Sequence, residues 1–428
     1  MCAAISESGD MTDIPERRSL RRHQTITLSL LFLAGMVNFL DRSSLSIANT
    51  TVRAEMHLNA TQIGWLLSAF SLAYGFAQLP LIGLLDRAGT RSVLGAGLVL
   101  WSTAQMLTGF VRGLPTFLLL RVLLGAGEAP FYPSGIRSTR EWFTSATRAR
   151  ATAIMSSSQT VGLAVAPPAL TWIMLRMGWR AMFIGLGASG LLVAVAWIAF
   201  HRARRDTSFR ELAPTSTTAV EAAWKALVRQ RTVWGMMLGF GGINYTVWLY
   251  TAWLPGYLQD QRHLSLSRSG WVAALPFLAG ALGMISSGTF SDWLVRARVP
   301  LTTVHRRNLV FGMIVSAAST LVVAHSQSTR QAVAAISMAL FCIHFAGTSG
   351  WGYVQAVSPL RYVASLGALQ NFASFMIASA APVLTGWLLD RTHSFTVALA
   401  VCSAVTLLGA LSYATLAAPS GMHLEHEA

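Results

Sequence analysis

The chain has 428 residues, of which 53% are hydrophobic and 11% are charged, and its formal net charge is +15. A soluble protein carries about a quarter charged residues, so this composition indicates a membrane protein that crosses the bilayer several times. The basic residues fall mainly in short loops between apolar runs, which argues against the nucleic-acid partner that such a charge would suggest in a soluble chain. The three cysteines are scattered, so no disulfide or metal-ligand framework is readable from the sequence.

A polar segment at 1–23 opens the chain and is predicted to be a cytoplasmic tail, because the apolar run after it is too long for a signal peptide. A helix needs about 20 apolar residues to span a bilayer. Twelve such runs follow, near 24–51, 60–85, 92–111, 114–136, 151–175, 179–201, 232–258, 269–294, 308–325, 331–357, 362–389 and 394–417. The basic, Ser/Thr-rich segment 202–231 is predicted to be a cytoplasmic linker, and 418–428 a second tail. The predicted fold is therefore an all-α membrane protein with twelve transmembrane helices in two pseudo-symmetric six-helix halves, 24–201 and 232–417.

Lysine and arginine are concentrated in the N-terminal tail and in the loops on its side of the membrane. The positive-inside rule then predicts a multi-pass protein of the inner membrane with both termini in the cytoplasm. The lipid bilayer is one expected partner, and a monomer is the expected state.

The two halves repeat each other at an offset of 206 residues, through several short matches that include Asp86 with Asp292. Transporter folds are often built from such repeats, with the binding site at their interface. At the same offset Asp41 and Arg42 fall on residues 247–248, which are Val and Trp. The charge in the membrane is thus confined to the N-terminal half, while the C-terminal half offers aromatic and neutral polar groups.

Four charged residues lie well inside apolar runs, away from their ends: Asp41 and Arg42 in the first, Arg121 and Glu128 in the fourth. An ionised side chain at the bilayer centre costs roughly 2.5–3.5 kcal/mol on insertion scales, so each must be partnered or functional. Arg121 and Glu128 share a helical face but lie about 10 Å apart along it, which favours separate partners. A buried pair that only fixes helix packing is the alternative. An arginine that faces a cavity of low dielectric constant can bind a carboxylate with two parallel hydrogen bonds, whereas acids there can change protonation.

The loop between the second and third runs reads GLLDRAGTR, and a weaker copy with Asp292 joins the eighth and ninth runs. The first copy resembles the Gly-x-x-x-Asp-Arg-x-Gly-x-Arg loop of the major facilitator superfamily, which it matches at Gly83, Asp86, Arg87, Gly89 and Arg91. The resemblance implies that this loop latches the cytoplasmic side shut when the cavity faces outward. A tight basic turn that serves only topology is the alternative reading of both copies.

Two further stretches narrow the resemblance. Gly125-x-Gly127-Glu128-Ala129-Pro130 in the fourth run and Asn38-x-x-Asp41-Arg42 in the first are similar to signatures of the anion:cation symporter family. That family includes bacterial galactonate, glucarate and hexuronate transporters, together with vesicular glutamate and sialic-acid carriers. The similarity covers essentially the whole transmembrane region.

The resemblance implies that Arg42 binds the substrate carboxylate and that Glu128 and Asp41 are the protonation sites. Arg121 would be the electrostatic partner of Asp41. The chemistry of the residues supports the same division, because a bound anion beside Glu128 disfavours its charged form, so that substrate and proton bind together.

Further substrate contacts are implied for Tyr74, Gln159 and Asn371, which fall where sugar-acid carriers place hydrogen-bonding groups. Phe39 stands where galactonate-type carriers have a Tyr that contacts the sugar, so a hydroxyl is missing there. Trp351 faces either the cavity or the lipid interface, and both readings remain open.

The expected function is therefore a proton-coupled symporter that imports a small organic anion by alternating access, with a sugar acid of the hexonate, aldarate or hexuronate type as substrate. Protons are the expected coupling ion, and no cofactor is expected. An importer of an aromatic or other small carboxylate and a proton-antiport exporter are the alternatives. No nucleotide-binding loop, metal-ligand cluster or triad spacing is readable, so an enzyme is not expected.

Overall fold

The computed structural model describes residues 13–202, 224–359 and 362–417. Parts of the predicted tails and linker, at 1–12, 203–223 and 418–428, lie outside the described residues. The described part of the chain is helical, as the apolar runs predict, and no strand occurs in it.

Five helices form the N-terminal half: α1 (Asp13–Met56), α2 (Ala60–Thr108), α3 (Leu114–Glu128), α4 (Phe131–Trp142) and α5 (Ser145–Phe200). Two of them contain two predicted spans each and are broken at a glycine, Gly89 in α2 with φ 74° and Gly178 in α5 with φ 81°. Glycine has no Cβ, so it adopts this left-handed backbone at little cost. Pro130, which has no backbone donor, lies at the break between α3 and α4.

The C-terminal half contains seven helices: α6 (Arg231–Asp260), α7 (Leu266–Arg296), α8 (Leu301–His325), α9 (Thr329–Val357), α10 (Val363–Ala378), α11 (Ala380–Thr392) and α12 (Thr396–Thr415). Among the described residues, eight helices are long and apolar enough to cross a membrane, or nine if the two arms of α2, bent by 110°, count as one span. One of the eight runs from Arg150 to Phe200, and its 51 residues exceed what a single crossing of about 30 Å needs. The count of twelve spans stays a prediction.

Packing between helices follows the predicted repeat. Across the halves, α2 packs on α11 and α5 packs on α7, while α1 meets α6. Shifting residue numbers by the repeat offset carries the first arm of α2 onto α7 and the middle of α5 onto α11. The first two contacts are therefore repeat equivalents of each other, as two pseudo-symmetric halves require.

The halves are hydrogen-bonded at one end of the bundle, which we call the closed end and which carries the loops α1–α2 and α6–α7. There Asp390 of α11 accepts bonds from the backbone N–H groups of Ala60 (2.9 Å) and Thr61 (2.8 Å) and from the Thr61 hydroxyl (2.5 Å). Arg53 donates to Asp260 at 2.8 Å across the same end. The opposite end, where α1 begins and α12 ends, is called the tail end below.

Candidate functional site

Arg42 of α1 and Glu128 of α3 form an ion pair near the middle of the bundle. Arg42 Nε donates to Glu128 Oε2 at 2.8 Å, and the two side chains are 13% and 0% exposed. Glu128 ends α3 just before the break at Pro130, so that its carboxylate turns toward α1. Breaking such a buried pair by removing one partner is strongly destabilising, because the other charge is left uncompensated.

Three aromatic rings surround the Arg42 guanidinium. Its central carbon lies 4.7 Å from the ring centroid of Tyr74, 5.0 Å from that of Phe39 and 5.3 Å from that of Phe70. Arg121 lies over the same Phe70 ring, also at 5.3 Å. Cation–π contacts of this kind hold a guanidinium without using its hydrogen-bond donors. The site therefore keeps a permanent cation in a mostly apolar setting.

Asp41 and Arg121 are both buried, and no hydrogen bond or ion pair within 4.0 Å joins them. Neither carboxylate oxygen of Asp41 has a hydrogen-bond partner among the described residues, and Arg121 Nη1 also lacks one. Arg121 Nε donates instead to the carbonyl of Leu66 at 3.3 Å. The predicted electrostatic partnership of Asp41 and Arg121 thus has no direct bond in this conformation. The spacing argument that Arg121 and Glu128 do not form a simple pair agrees with the structure, since Glu128 pairs with Arg42.

The C-terminal half approaches this cluster with neutral side chains. Tyr74 packs against Phe375 of α10 with ring centroids 4.9 Å apart. Trp248 of α6, the repeat equivalent of Arg42, lies 5.8 Å from Phe70. Asn371 Nδ2 donates to Gln78 Oε1 at 3.0 Å, which joins α10 to α2 across the halves.

Two other predicted contacts lie at the margins of this cluster. Gln159 is half-buried in α5. Trp351 of α9 is 44% exposed, and its ring packs edge-on against Phe240 at 5.7 Å. Their roles in binding stay predictions.

The predicted gating loop lies at the tail end and is bonded within its own half. Asp86 accepts a bond from Arg137 of α4 at 2.8 Å, and Arg91 donates to the carbonyl of Ile198 at 3.1 Å. Gly83 and Arg87 are exposed, and so is Asp292 in the second copy. The bend at Gly89 lies within this loop.

Phe70, Gln78 and Phe375 were not predicted from the sequence. Phe70 and Gln78 lie four residues before and after Tyr74, so all three share one face of α2. That spacing was the available signal, but the same spacing is compatible with a lipid-facing stripe on an apolar helix. Among the described residues, no group of three or more His, Cys, Asp or Glu side chains could hold a metal ion.

Comparison with known proteins agrees with this architecture. The family model of the Major Facilitator Superfamily matches residues 31–382. The chain is 47% identical over 423 residues to the "Probable L-galactonate transporter" of Escherichia coli strain K12, covering 95% of this chain and 93% of that protein. It is 29% identical over 415 residues to the "D-galactonate transporter" of Escherichia coli O6:H1, covering 92% and 96% of the two chains.

Among solved structures, a bacterial homologue of the human lysosomal transporter Spinster matches with a TM-score of 0.74 at 18% identity, covering 93% of this chain and 96% of that one. At this identity the likeness concerns the fold alone. The family model, by contrast, matches most of the chain directly, and the first relative is 47% identical to it. The chain belongs to the Major Facilitator Superfamily and is a membrane transporter rather than an enzyme.

Proposed function

We propose that this transporter imports a sugar acid together with protons by alternating access. The observation that carries the proposal is the ion pair between Arg42 and Glu128, at 2.8 Å, in which the cation is partly exposed and the acid is fully buried. A substrate carboxylate and the Glu128 carboxylate are chemically alike, so both can bind the same guanidinium.

Exchange of these two carboxylates couples substrate to proton. When a substrate anion takes Glu128's place on Arg42, a buried carboxylate would be left without a cation, which is strongly unfavourable. A proton on Glu128 removes that charge. The net charge of the site is then the same before and after loading, and neither partner binds well alone. Asp41, whose oxygens have no partner among the described residues, is the second candidate for protonation.

The relatives and the polar side chains favour a sugar acid as the anion. Two relatives are named as galactonate transporters, one of them at 47% identity. Asn371 uses its Nδ2 for Gln78, so its carbonyl oxygen is available to accept a bond from a substrate hydroxyl. Tyr74 and Gln159 would supply further hydrogen bonds to hydroxyl groups.

The positive-inside rule assigns the tail end to the cytoplasmic side of the membrane and the closed end to the opposite side. Of the hydrogen bonds between the described parts of the halves, only the one between Asn371 and Gln78 lies toward the tail end. The gating loop is bonded to its own half through Asp86 and Arg137. We therefore propose that in this conformation the halves are held together at the closed end.

An aromatic carboxylate is the second candidate substrate, because three aromatic rings lie within 5.3 Å of the Arg42 guanidinium carbon. Phe39 in particular carries no hydroxyl. An uptake panel of galactonate, glucuronate, glucarate and benzoate in proteoliposomes with an imposed pH gradient separates the two candidates. Uptake of benzoate alone would refute the sugar-acid assignment.

The variant Glu128→Gln tests the coupling. It mimics the protonated acid, so purified protein in proteoliposomes should still exchange labelled substrate across the membrane. It should fail to accumulate substrate against a gradient when driven by protons, with accumulation reduced at least about ten-fold.

Glu55→Gln is the matched control, because Glu55 also pairs with an arginine, Arg180 at 3.0 Å, but lies at the closed end. It should keep proton-driven accumulation. Uphill accumulation by Glu128→Gln at the wild-type rate would remove Glu128 from the coupling. Loss of folding, or of exchange and accumulation together, would assign Glu128 a structural role only.

A further inference from the structure

A groove of about 580 Å³ lies on the outer surface of the C-terminal half at the tail end, between α8 and α12. Its lining residues are Thr303, Arg306, Arg307, Val310, Phe311, Ile314 and Ala414. Thr303, Arg307, Val310 and Ile314 are spaced four, three and four residues apart, so they form one stripe along α8. The stripe is polar and cationic near the start of α8 and apolar further along the helix.

The two arginines of the groove are in different situations. Arg306 is held in place, because its Nε donates to the carbonyl of Tyr413 at 3.1 Å and an Nη donates to the carbonyl of Ala414, at the end of α12. Arg307 is exposed and has no hydrogen bond or ion pair with any residue that the structure describes. A permanent cation thus stands unpaired beside an anchored one.

The apolar part of the groove is exposed as well. Phe311 is 65% exposed and Ile314 is 47% exposed. Arg307 and Ile314 are seven residues apart, which corresponds to roughly 10 Å along the helix. This length separates a lipid phosphate from the upper part of its acyl chains, and arginine near a helix end reaches the interface in the same way.

We propose that this groove binds one anionic phospholipid. Its phosphate is held by Arg307, with Arg306 contributing to the positive field, because a guanidinium binds phosphate through two parallel hydrogen bonds. One acyl chain lies along Val310, Phe311 and Ile314. Basic pockets at this level, beside transmembrane helices, fit anionic headgroups by charge.

Two other occupants fit the groove less well. A second copy of the chain in a twofold contact would bring the same arginines face to face, and like charges would repel. The C-terminal segment 418–428 follows α12 and carries Glu425 and Glu427, so it could reach the arginines, but it offers only one large apolar side chain besides Met422 for the lower groove. The experiment below distinguishes this segment from a lipid.

The test is native mass spectrometry of the purified full chain, titrated with phosphatidylglycerol or with phosphatidylcholine of identical acyl chains. We expect the wild type to hold one phosphatidylglycerol more tightly than phosphatidylcholine, and Arg307→Gln to lose this preference with a roughly five-fold weaker first binding step. Arg307→Lys should retain part of the preference. Arg202→Gln, which removes an exposed arginine at the tail end of the other half, is the matched control and should behave like the wild type.

Equal binding of the two lipids by the wild type, or an unchanged preference in Arg307→Gln, would overturn the proposal. A chain ending at Ala417 serves as a further arm. If phosphatidylglycerol binds only after that truncation, the C-terminal segment is the occupant and the lipid assignment is wrong. Because Arg307 is exposed and unpaired among the described residues, the melting temperature of its variants should match that of the wild type, which keeps a folding defect apart from a loss of lipid.

Discussion

The N-terminal and C-terminal halves present unlike surfaces to the site between them. The N-terminal half contributes every charged side chain of the cluster: Asp41, Arg42, Arg121 and Glu128. The C-terminal half approaches with aromatic rings and amides, and none of its described residues is a buried charge. The repeat makes the difference plain, because Trp248 stands where Arg42 stands in the other half.

This asymmetry separates two tasks that a transporter must perform. Taking an ion out of water is unfavourable by several kcal/mol, even after relaxation of its surroundings. The neutral surface of the C-terminal half can pack against the site and separate from it again without removing an ion of its own from water. Under the proposed mechanism, the charge changes are therefore confined to one half, and the motion between the halves takes place at a contact between a charged and a neutral surface.

The largest effect is expected for Arg42→Lys, which alters the geometry of the charged half while keeping its charge. Lysine lacks the planar fork that binds a carboxylate with two bonds, so substrate affinity should fall roughly 30-fold or more. Isothermal titration calorimetry with galactonate measures this change.

Trp248→Phe is the matched variant in the neutral half, since it keeps an aromatic ring at the repeat position. It should change affinity by less than about three-fold, as expected for a modest loss of packing. Near-normal binding by Arg42→Lys would contradict a two-bond anchor at Arg42. The contribution of the charged half to substrate affinity would then not depend on the shape of the guanidinium.

A smaller effect is expected for the pair Asp41 and Arg121, tested by Asp41→Asn, Arg121→Gln and the double variant. Each single change leaves an opposite charge buried, so the double variant should be more stable than the sum of the singles predicts, by about 0.5–3 kcal/mol. Thermal unfolding in detergent gives the comparison.

The neutral half supplies a control cycle in Thr246 and Thr406, whose hydroxyl oxygens are 2.6 Å apart. Changing both to Val should give a coupling of at most about 1 kcal/mol, because two neutral groups are lost together. Additive effects of the Asp41 and Arg121 changes would show that these charges do not interact, and Arg121 would then serve mainly to bind the Leu66 carbonyl.

The smallest effects are expected at the closed end, where the halves do meet through charged side chains. Asp390→Asn weakens the cap on the start of α2 and should shift the equilibrium between the two open states by roughly five-fold, as typical for a helix cap. Spin labels on the two halves at the closed end report the shift as a change in the distance distribution.

Asp260→Asn is the comparison at the same end. Its partner Arg53 is 25% exposed and Asp260 is 35% exposed, and such pairs contribute about 0–1 kcal/mol. The expected shift is therefore below that of Asp390→Asn. A larger shift for Asp260→Asn would mean that the ion pair, and not the helix cap, holds this end closed.

The sequence predicts the helices better than their ends and breaks. Apolar runs mark the crossings because the bilayer requires them, but α1 begins at Asp13, eleven residues before its apolar run. Backbone hydrogen bonding does not need apolar side chains, so hydropathy cannot define a helix start. Likewise, the turns at Gly89 and Gly178 are short enough that helical structure continues directly on either side.

For the site, the sequence was informative where a charged residue lies in an apolar run, because charge is rare there. Charged side chains in apolar runs identified Arg42 and Glu128 but could not pair them, because at a sequence separation of 86 their approach depends on tertiary packing. Phe70 and Phe375 were missed for a different reason, since in a membrane protein an aromatic side chain is compatible with a lipid-facing surface as well as with an internal site. Whether Asp41 and Glu128 carry protons stays a prediction.

The rings around Arg42 also bear on turnover. A transporter that bound its substrate with every available hydrogen-bond donor would hold the substrate in a deep energy minimum and release it slowly. Phe39, Phe70 and Tyr74 contact the guanidinium through their rings and leave its N–H donors to a carboxylate. Under the proposed mechanism, release of the substrate then requires only a few exchangeable hydrogen bonds to break, while the rings keep the guanidinium oriented for the next transport cycle.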